Sequence, residues 1–596
     1  MYSTNRIQIT NESRVEKEMQ GKPSQEKLYL KYYPKEALNA VLPKTKIDGY
    51  FEEVNGEYPE STGLIFAVTG QKISIRQIQE AYHATAKALT GMGLQRGDNV
   101  AVSLFNVPEI VYIVLACSKL GLSINMINPL EKPKEIIERI HSTSAKLLFV
   151  QDKIAPLFRK IYKHAGVKRM IVVPITARSK CVGNSTAYRA VISWNAFIEK
   201  GRTAPTVPDA PYDEKAALIY THSSGSTGPG KPIVLGHDTF VQFAHMHNGV
   251  GFEISRSDKW LAAFPALFAT GASSSVFTPL LLGFQTILEP RYDCKAFSRN
   301  LIRYRPKVAI ATKHFWKYIL DDPRLDGMNM SFLRYAVCGG EKVRRHEIRR
   351  FDRFLVAHNN RFGMGNGYGQ SELGGSICCS WSVNAQNGGN NTIGIPYTHN
   401  EIIIRDLSTG EEADYNQVGA VTAKAATEMI GYHNMPTETA DYFRNGVANL
   451  GDLGHVNERG EYFIDGRISD FIQIADNIKL RPYEMEDAIE EAIECDPILD
   501  DAIKDYCVYG IPKGVYALPV IQICISKKYR KQARAIIEKI SGALANRMPP
   551  EKQALAYKIR TKGFPSTFAG KIDIAALKRE TKGFVKFAVD SSMDGR

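Results

Sequence analysis

The sequence predicts an α/β protein with a large N-terminal domain of helix-covered, mostly parallel sheets and a small C-terminal α+β domain. The first indication is length, because 596 residues exceed what a single hydrophobic core usually organises. The second is the order of elements. Short apolar runs alternate with longer helical patterns through the first two-thirds of the chain, which is typical of parallel sheets covered by helices.

The apolar runs of this first part have the length and the β-branched content of buried strands. A longer segment between two such runs, residues 74–93, has the spacing of an amphipathic helix instead. The predicted strands are 99–106, 145–152, 169–174, 307–312 and 334–340.

A second unit begins close to residue 468, so we expect domains at 1–467 and 468–596. The elements predicted within it are a helix at 481–495, strands at 505–511 and 518–526, a helix at 530–548 and a strand at 555–560. This mixed order, without regular alternation, is typical of an α+β domain.

The composition is ordinary for a soluble globular protein, with 44% hydrophobic and 23% charged residues. A formal charge of +13 favours anionic ligands in general without choosing among them. Basic residues cluster at 341–354, but acidic residues interleave with them, and this pattern predicts a solvated helix face. We find no interleaved basic and aromatic pattern of a nucleic-acid binder, so no nucleic-acid partner is expected.

The nine cysteines are scattered, contain no C-x-x-C pair, and predict a reduced, cytoplasmic protein. The residues from 260 to 288 carry no charge and are numerous enough to span a bilayer. However, Pro265, Gly271, Pro279 and Gly283 divide this stretch into short pieces. We therefore expect a buried core segment and no integral membrane helix.

The segment "THSSGSTGPGKPIVLGH" (221–237) contains most of a P-loop pattern from Gly225 to Lys231. A P-loop requires Ser or Thr after its lysine to hold Mg²⁺ and a helix directly behind it. Pro232 follows the lysine here, and the next residues resemble a strand. The P-loop interpretation therefore fails on both chemistry and context.

The same loop can still bind phosphate. Glycines 225 and 228 permit close backbone approach, while hydroxyl groups and the ammonium group of Lys231 can donate to phosphate oxygens. The hydroxyl donors are Ser223, Ser224, Ser226 and Thr227. A flexible Ser/Gly linker is the alternative that the loop alone leaves open.

Further stretches follow in a recognisable order and spacing. They are "NGYGQSE" (366–372), "NLGDLG" (449–454), "GRISDFIQI" (466–474) and "FPSTFAGKIDIAAL" (564–577). Together with the loop, they resemble the motifs of the acyl-adenylating superfamily of acyl-CoA synthetases, luciferases and peptide-synthetase adenylation domains. The resemblance implies an AMP-forming ligase that uses ATP and Mg²⁺ and, in the acyl-CoA synthetases, CoA as co-substrate.

The resemblance also implies roles for individual residues around the nucleotide. The loop Ser223–Lys231 would embrace the β- and γ-phosphates, Gly339, Gly340 and Glu341 would lie beside the adenine, and Tyr368, followed by Gly369, would stack on it. Ser371 would contact the α-phosphate, and Glu372 would hold Mg²⁺. The ribose hydroxyls would be bound by Asp452, and Arg467 would reach ribose or phosphate.

In this superfamily the small domain rotates about a hinge between two half-reactions, so that one site serves adenylation and then thiol attack. The hinge position falls at Ser469, and Lys571 matches the lysine that contacts the carboxylate and the leaving phosphate. The sequence departs from the pattern at Gly230 and Pro232, and again at Asp476, near the loop that helps to form the thiol tunnel.

The acid is indicated only in outline. Ala269 stands where amino-acid-activating relatives carry an aspartate, so an α-ammonium group would be left unpaired. Phe268 stands where CoA-ligase relatives often have a histidine, the aromatic gate of the pantetheine tunnel, and is expected to substitute for it. The small Gly374 and Gly375 leave room for an acyl chain or aromatic acid. We expect a fatty or aryl acid with CoA as acceptor. The alternatives are an acyl carrier protein as acceptor and a catalytically silent nucleotide-binding relative.

Overall fold

A computed structural model describes residues 21–176, 190–205, 209–223, 230–249, 255–380, 391–565, 572–580 and 582–586. Strands are numbered in chain order, and those of the large N-terminal part are β1 Thr62–Phe66, β2 Gln71–Ser74, β3 Asn99–Ser103, β4 Ser123–Met126, β5 Leu147–Gln151, β6 Arg169–Val173, β7 Val191–Ser193, β8 Ile219–His222, β9 Pro232–Leu235, β10 Lys259–Ala262, β11 Gln285–Leu288, β12 Val308–Ala311, β13 Tyr335–Gly339, β14 Met364–Gln370, β15 Gly375–Cys379, β16 Ile395–Pro396, β17 Glu401–Arg405, β18 Gly419–Lys424, β19 Gly431–Tyr432, β20 Phe443–Arg444, β21 Val447–Val456 and β22 Tyr462–Arg467. The remaining strands are β23 Ile472–Ala475, β24 Ile478–Leu480, β25 Ile503–Lys513, β26 Tyr516–Ile525, β27 Ala556–Arg560 and β28 Val585–Lys586.

Helices are numbered in the same way. They are α1 Pro23–Glu26, α2 Lys35–Leu38, α3 Ile47–Asn55, α4 Ile75–Gly91, α5 Pro108–Leu120, α6 Pro133–Ser142, α7 Ala155–Ile161, α8 Trp194–Glu199, α9 His237–Gly249, α10 Thr278–Leu281, α11 Cys294–Tyr304, α12 Lys313–Leu320, α13 Arg345–Ala357, α14 Pro436–Tyr442, α15 Pro482–Cys495, α16 Pro497–Ala502, α17 Ala533–Arg547 and α18 Ile574–Lys578.

Two large sheets with mainly parallel centres form the N-terminal part, as the alternation of strands and helices predicts. The first has the order β16-β15-β14-β13-β12-β10-β11-β1-β2 and is parallel from β14 to β1. The second has the order β19-β9-β8-β4-β3-β5-β6-β7 and is parallel from β8 to β7. A third, antiparallel sheet consists of β17, β18, β20, β21 and β22.

Local sequence explains the helix boundaries on these sheets. Helix α4 begins with a capping box, in which Ser74 accepts from the backbone of Gln77 and the Gln77 side chain accepts from Ser74. Helix α5 begins at Pro108 and ends at Leu120, and the following Gly121 has a left-handed φ of 66°. Both helices bury apolar faces in one core, so the predicted amphipathic helix at 74–93 is confirmed.

The uncharged stretch at 260–288 contains β10, a π-helix from Gly271 to Phe277, the short helix α10 and β11. A Cβ atom at Gly271 would lie 1.8 Å from the Pro265 carbonyl oxygen, so only glycine permits this turn. The expectation of a buried segment broken by turns is correct. Among the described residues, none of the helices combines the length and the apolar character required to cross a membrane.

The C-terminal part has its own hydrophobic core, formed by α15, α17 and the sheet β25-β26-β27-β28. Every strand and helix predicted there is present, shifted by a few residues at its ends. Strand β27 is parallel to β26, while the other pairs of this sheet are antiparallel, as in an α+β arrangement. The exact domain boundary at 467/468 stays a prediction.

Candidate functional site

The predicted adenine loop and Tyr368 lie near the carboxyl ends of the parallel strands of the first sheet. Strand β13 ends at Gly339 and leads into Gly340, which has a φ of +87° that favours glycine. The neighbouring strand β14 carries Tyr368 and Gly369. Loops at the carboxyl edge of an open α/β sheet are the usual position of a ligand site.

Asp452 is the centre of a hydrogen-bonded cluster. Its carboxylate accepts from Tyr368 Oη at 2.5 Å, from Gln370 Nε2 at 3.1 Å and from Arg467 Nε at 2.8 Å. The antiparallel register of β21 and β22 places Arg467 directly opposite Asp452. Burial and the adjacent carboxylate raise the pKa of Tyr368 well above its usual range, so its hydroxyl stays a donor.

Glu372 follows Ser371 in a short 3₁₀ turn after β14, and Tyr432 of β19 reaches it from the other sheet. Tyr432 Oη donates to Glu372 Oε1 at 3.0 Å, while the described residues place no partner on Oε2. The Lys231 ammonium nitrogen lies 4.9 Å from the centre of the same tyrosine ring. Tyr432 therefore connects the predicted metal ligand with the predicted phosphate loop.

The described residues contain no group of three or more His, Cys, Asp and Glu that could enclose a metal ion. Glu372 nevertheless fits Mg²⁺, because a carboxylate with an available oxygen is a hard donor. Mg²⁺ in nucleotide sites commonly takes one or two carboxylates and completes its shell with phosphates and water. No all-protein cage is needed.

The two ends of the phosphate loop are fixed against each other. The Ser223 hydroxyl accepts from the Lys231 backbone N–H at 2.9 Å, and the Ser223 N–H donates to the Lys231 carbonyl at 3.0 Å. Arg139 Nη1 donates to the Gly230 carbonyl at 3.1 Å. Strand β9 begins at Pro232, so no helix follows the lysine and the rejection of a P-loop is correct.

Several predicted site residues lie outside the described part of the chain. They are Ser224, Gly225, Ser226, Thr227 and Gly228 of the phosphate loop, and Lys571. The chain is described again from Ile572, two residues before helix α18. The roles assigned to these loop residues and to Lys571 remain predictions.

Gly374 and Gly375 allow close packing of backbone segments. A Cβ atom at Gly374 would lie 2.3 Å from the Thr239 methyl carbon, and one at Gly375 would lie 2.8 Å from the Ser273 hydroxyl oxygen. The space that the two glycines leave is thus occupied by these side chains of α9 and the π-helix. Phe268 lies half-buried in the turn just before that helix.

Ser469 is exposed between β22 and β23, in a position suited to a hinge. The loop at Asp476, where the sequence departs from the superfamily pattern, forms a turn between β23 and β24. Neither Asp476 nor Asn477 has a positive φ. The Asp476 carboxylate accepts from Tyr516 Oη at 2.7 Å. The loop therefore needs no left-handed residue in this structure.

The basic cluster at 341–354 is not simply a solvated face, and this expectation is wrong for Arg344 and His346. Both are buried against the C-terminal part. Arg344 contacts Glu486 at 2.9 Å and Asp505 at 3.0 Å, and His346 contacts Glu490 at 2.7 Å. Sequence reasoning missed this interface because the acidic partners lie more than 140 residues away.

The same ion pairs extend to the predicted adenine loop. Lys317 contacts Asp505 at 2.8 Å, and both Lys317 and Lys313 pair with Glu347. Lys313 also lies 3.4 Å from the buried carboxylate of Glu341. Gln370 lies within the quoted motif at 366–372 but the sequence assigns it no role, and no sequence motif signals Tyr432 or this ion-pair cluster.

Residues 51–433 match the AMP-binding enzyme family. A long-chain-fatty-acid–CoA ligase of Bacillus subtilis is 24% identical over 567 residues, which cover 92% of this chain and 97% of that protein. A probable 4-coumarate–CoA ligase 2 of Dictyostelium discoideum is 23% identical, covering 81% of this chain and 86% of that protein.

Solved structures share the fold. The anthranilate CoA ligase AuaEII in complex with anthranoyl-AMP superimposes with a TM-score of 0.75 at 20% identity, covering 91% of this chain and 98% of that one. A benzoate CoA ligase from Burkholderia xenovorans LB400 gives a TM-score of 0.74 at 18% identity, covering 90% of this chain and 100% of that one.

Proposed function

Because the chain belongs to the AMP-binding enzyme family, we propose that it is an ATP-dependent carboxylic acid–CoA ligase that acts through an acyl-adenylate. Its acid is a fatty or aryl acid. The observation that carries the proposal is the cluster of Tyr368, Asp452 and Arg467 beside Glu372, at the edge of the sheet where a nucleotide would bind.

The reaction starts from a chemical difficulty, since a carboxylate at neutral pH is a poor electrophile. Attack of its oxygen on the α-phosphate of ATP breaks the bond to the β-phosphate, releases pyrophosphate and forms an acyl-adenylate. The thiol of CoA then attacks the acyl carbon, and AMP leaves. Both steps depend on positioning and charge stabilisation more than on covalent catalysis by the protein.

Each predicted residue has a position in this scheme. Lys231 and the hydroxyls of its loop hold the β- and γ-phosphates, and Ser371 binds the α-phosphate. When bound, Mg²⁺ neutralises phosphate charge, and Glu372 holds it through the oxygen that Tyr432 leaves available. Asp452 accepts from the ribose hydroxyls, since an ionised carboxylate is an acceptor for paired hydroxyl donors.

The choice of acid and acceptor is supported by the relatives. The names of these relatives specify long-chain fatty acids, 4-coumarate, anthranilate and benzoate as acids, with CoA as acceptor in each case. The absence of a carboxylate at Ala269 disfavours an α-amino acid. An acyl carrier protein is the alternative acceptor.

The deciding experiment measures pyrophosphate release from ATP and Mg²⁺ across fatty, aryl and amino acids, with and without CoA. We expect acid-dependent release that CoA stimulates, together with an acyl-CoA product. Release without acyl-CoA would favour a carrier-protein acceptor. ATP binding without release for any acid would favour a silent nucleotide-binding relative and contradict the proposal.

Replacing Tyr432 by Phe tests the link between the phosphate loop and the metal ligand. The substitution removes the hydrogen bond to the Glu372 carboxylate and keeps the ring beneath Lys231. A hydrogen bond to a charged group contributes on the order of 1.5 kcal/mol, so we expect about tenfold more Mg²⁺ to be needed for half-maximal pyrophosphate release.

The matched control for this prediction is Tyr442→Phe. Its hydroxyl donates to Gln370 Oε1 at 3.4 Å and forms no hydrogen bond with Glu372 within the described part of the chain, although the two tyrosine rings are neighbours. The control should leave the Mg²⁺ requirement within about twofold of the unmodified protein, since no hydrogen bond to a charged group is lost. Equal shifts in both variants would contradict the assigned role of Tyr432.

A further inference from the structure

A concave pocket lies at the amino ends of the parallel strands β10, β12, β13 and β14. It has a volume of about 410 Å³, which is within the usual range for small-molecule sites. Four separate loops line it, each just before one of these strands. The principal residues of this pocket, called here the basic pocket, are Lys259, Arg305, Lys307, Arg334, Phe332 and Phe362.

The charges of the basic pocket are unbalanced. Four cationic side chains line it with a single carboxylate, that of Asp258. Asp258 pairs with Lys307 at 2.7 Å. Within the described ranges, Lys259, Arg305 and Arg334 form no ion pair with any carboxylate, so three positive charges face the same space. An anion placed among them would relieve their mutual repulsion.

Aromatic rings hold the two guanidinium groups in place. The central carbon of Arg305 lies 4.7 Å from the centre of the Phe332 ring, and that of Arg334 lies 4.9 Å from the Phe362 ring. Arg334 Nε also donates to Tyr335 Oη at 3.0 Å. A stacked guanidinium has fewer orientations to lose on binding, and its free edge suits the oxygens of a phosphate group.

The basic pocket is separate from the predicted nucleotide site. Strand β13 begins beside the pocket at Tyr335 and ends at Gly339, where the predicted adenine loop starts. At about 3.3 Å per residue, the two sites lie roughly 13 Å apart along this strand, at opposite edges of the sheet. A ligand in the pocket would not touch the residues assigned to ATP.

We propose that the basic pocket binds a small anion that carries two or more linked phosphate groups. Two stacked guanidiniums and the ammonium of Lys259 supply charge-assisted donors from three different loops, and Ser257 and Ser331 line the same space. Because these donors belong to separate loops, a chain of linked phosphate groups offers oxygens to more of them than a single phosphate does. Inorganic polyphosphate and the phosphate chain of a nucleotide share this chemistry.

The test titrates the full chain with inorganic tripolyphosphate, pyrophosphate and ADP by calorimetry. The pocket variant is Arg305→Ala/Arg334→Ala, and Lys231→Ala marks binding at the predicted nucleotide loop. We expect tripolyphosphate to bind two sites in the unmodified protein. Affinity at one of them should fall at least about tenfold in the pocket variant and stay unchanged in Lys231→Ala. Stronger binding of ADP than of pyrophosphate at that site would identify a nucleotide as the source of the phosphates.

The control variant also removes two arginine charges, but from surface positions outside the basic pocket. Arg76→Ala/Arg534→Ala deletes two arginines that are more than half exposed in surface pairs. Equal weakening in this control, or loss of all tripolyphosphate binding in Lys231→Ala, would overturn the proposal. So would binding to phosphatidylserine vesicles that depends on Arg305 and Arg334 while tripolyphosphate does not bind. None of these results depends on ligase activity, so failure here is distinguishable from failure of the proposed function.

Discussion

Replacement of Lys571 by Ala is expected to reduce acyl-adenylate formation by a factor of about 10²–10³, the usual effect of removing one donor that stabilises transition-state charge. In the proposed reaction its ammonium group contacts both the attacking carboxylate and the leaving phosphate. It has no such role when the thiol attacks the finished adenylate. Thioester formation from supplied acyl-adenylate should therefore stay largely intact.

The two half-reactions are measured separately, by acid-dependent exchange of pyrophosphate into ATP and by acyl-CoA formation from synthetic acyl-adenylate. Lys578→Ala is the matched control, because Lys578 is an exposed lysine on the helix that follows. It should leave both steps unchanged. Equal losses of both steps in Lys571→Ala would contradict the assignment.

Replacement of Arg344 by Met is expected to destabilise the protein by about 3 kcal/mol, the lower end of the range for breaking a buried ion pair. The guanidinium lies between Glu486 and Asp505 and stacks on the Tyr506 ring at 4.1 Å. Each carboxylate keeps a lysine partner, Lys342 or Lys317, which limits the loss. Denaturant unfolding monitored by hydrogen exchange in α15 would measure it.

Arg353→Met is the control at the same interface. Arg353 contacts Asp500 at 2.6 Å, but its side chain is 59% exposed. An exposed pair contributes at most about 1 kcal/mol, because water screens it and the side chains lose entropy. Effects of equal size in the two variants would contradict a buried docking role for Arg344.

The same interface predicts a pH dependence. Burial alone would raise the pKa of Glu486, but Lys342 and Arg344 overcome this effect and hold that pKa at about 2. A carboxylate with a lowered pKa stabilises the folded state fully above its unfolded pKa, and this contribution is lost as the pH falls toward 2. In Arg344→Met, the free energy of unfolding should decrease less as the pH falls over the same interval.

Much of the fold could be predicted from local pattern. The burial of successive residues in β3, β5, β12 and β13 requires continuous apolar runs, and these runs are visible in the sequence. The glycines and prolines of 260–288 likewise break that stretch in the structure. What failed was the interpretation of the 341–354 cluster, because interleaved charges have the same pattern whether water or an acidic partner covers them.

The sequence by itself determined the fold class, the order of the motifs and the residue types available for phosphate, ribose and metal. These properties depend on neighbours in the chain. Only the tertiary structure decided which distant groups meet: Tyr432 with Glu372 across 60 residues, and Arg344 with Glu486 across 142. Periodicity specifies which face of an element is buried but not what covers it. The partner is selected when the packed sheets and their hydrophobic cores bring distant residues together, and no local pattern records that choice.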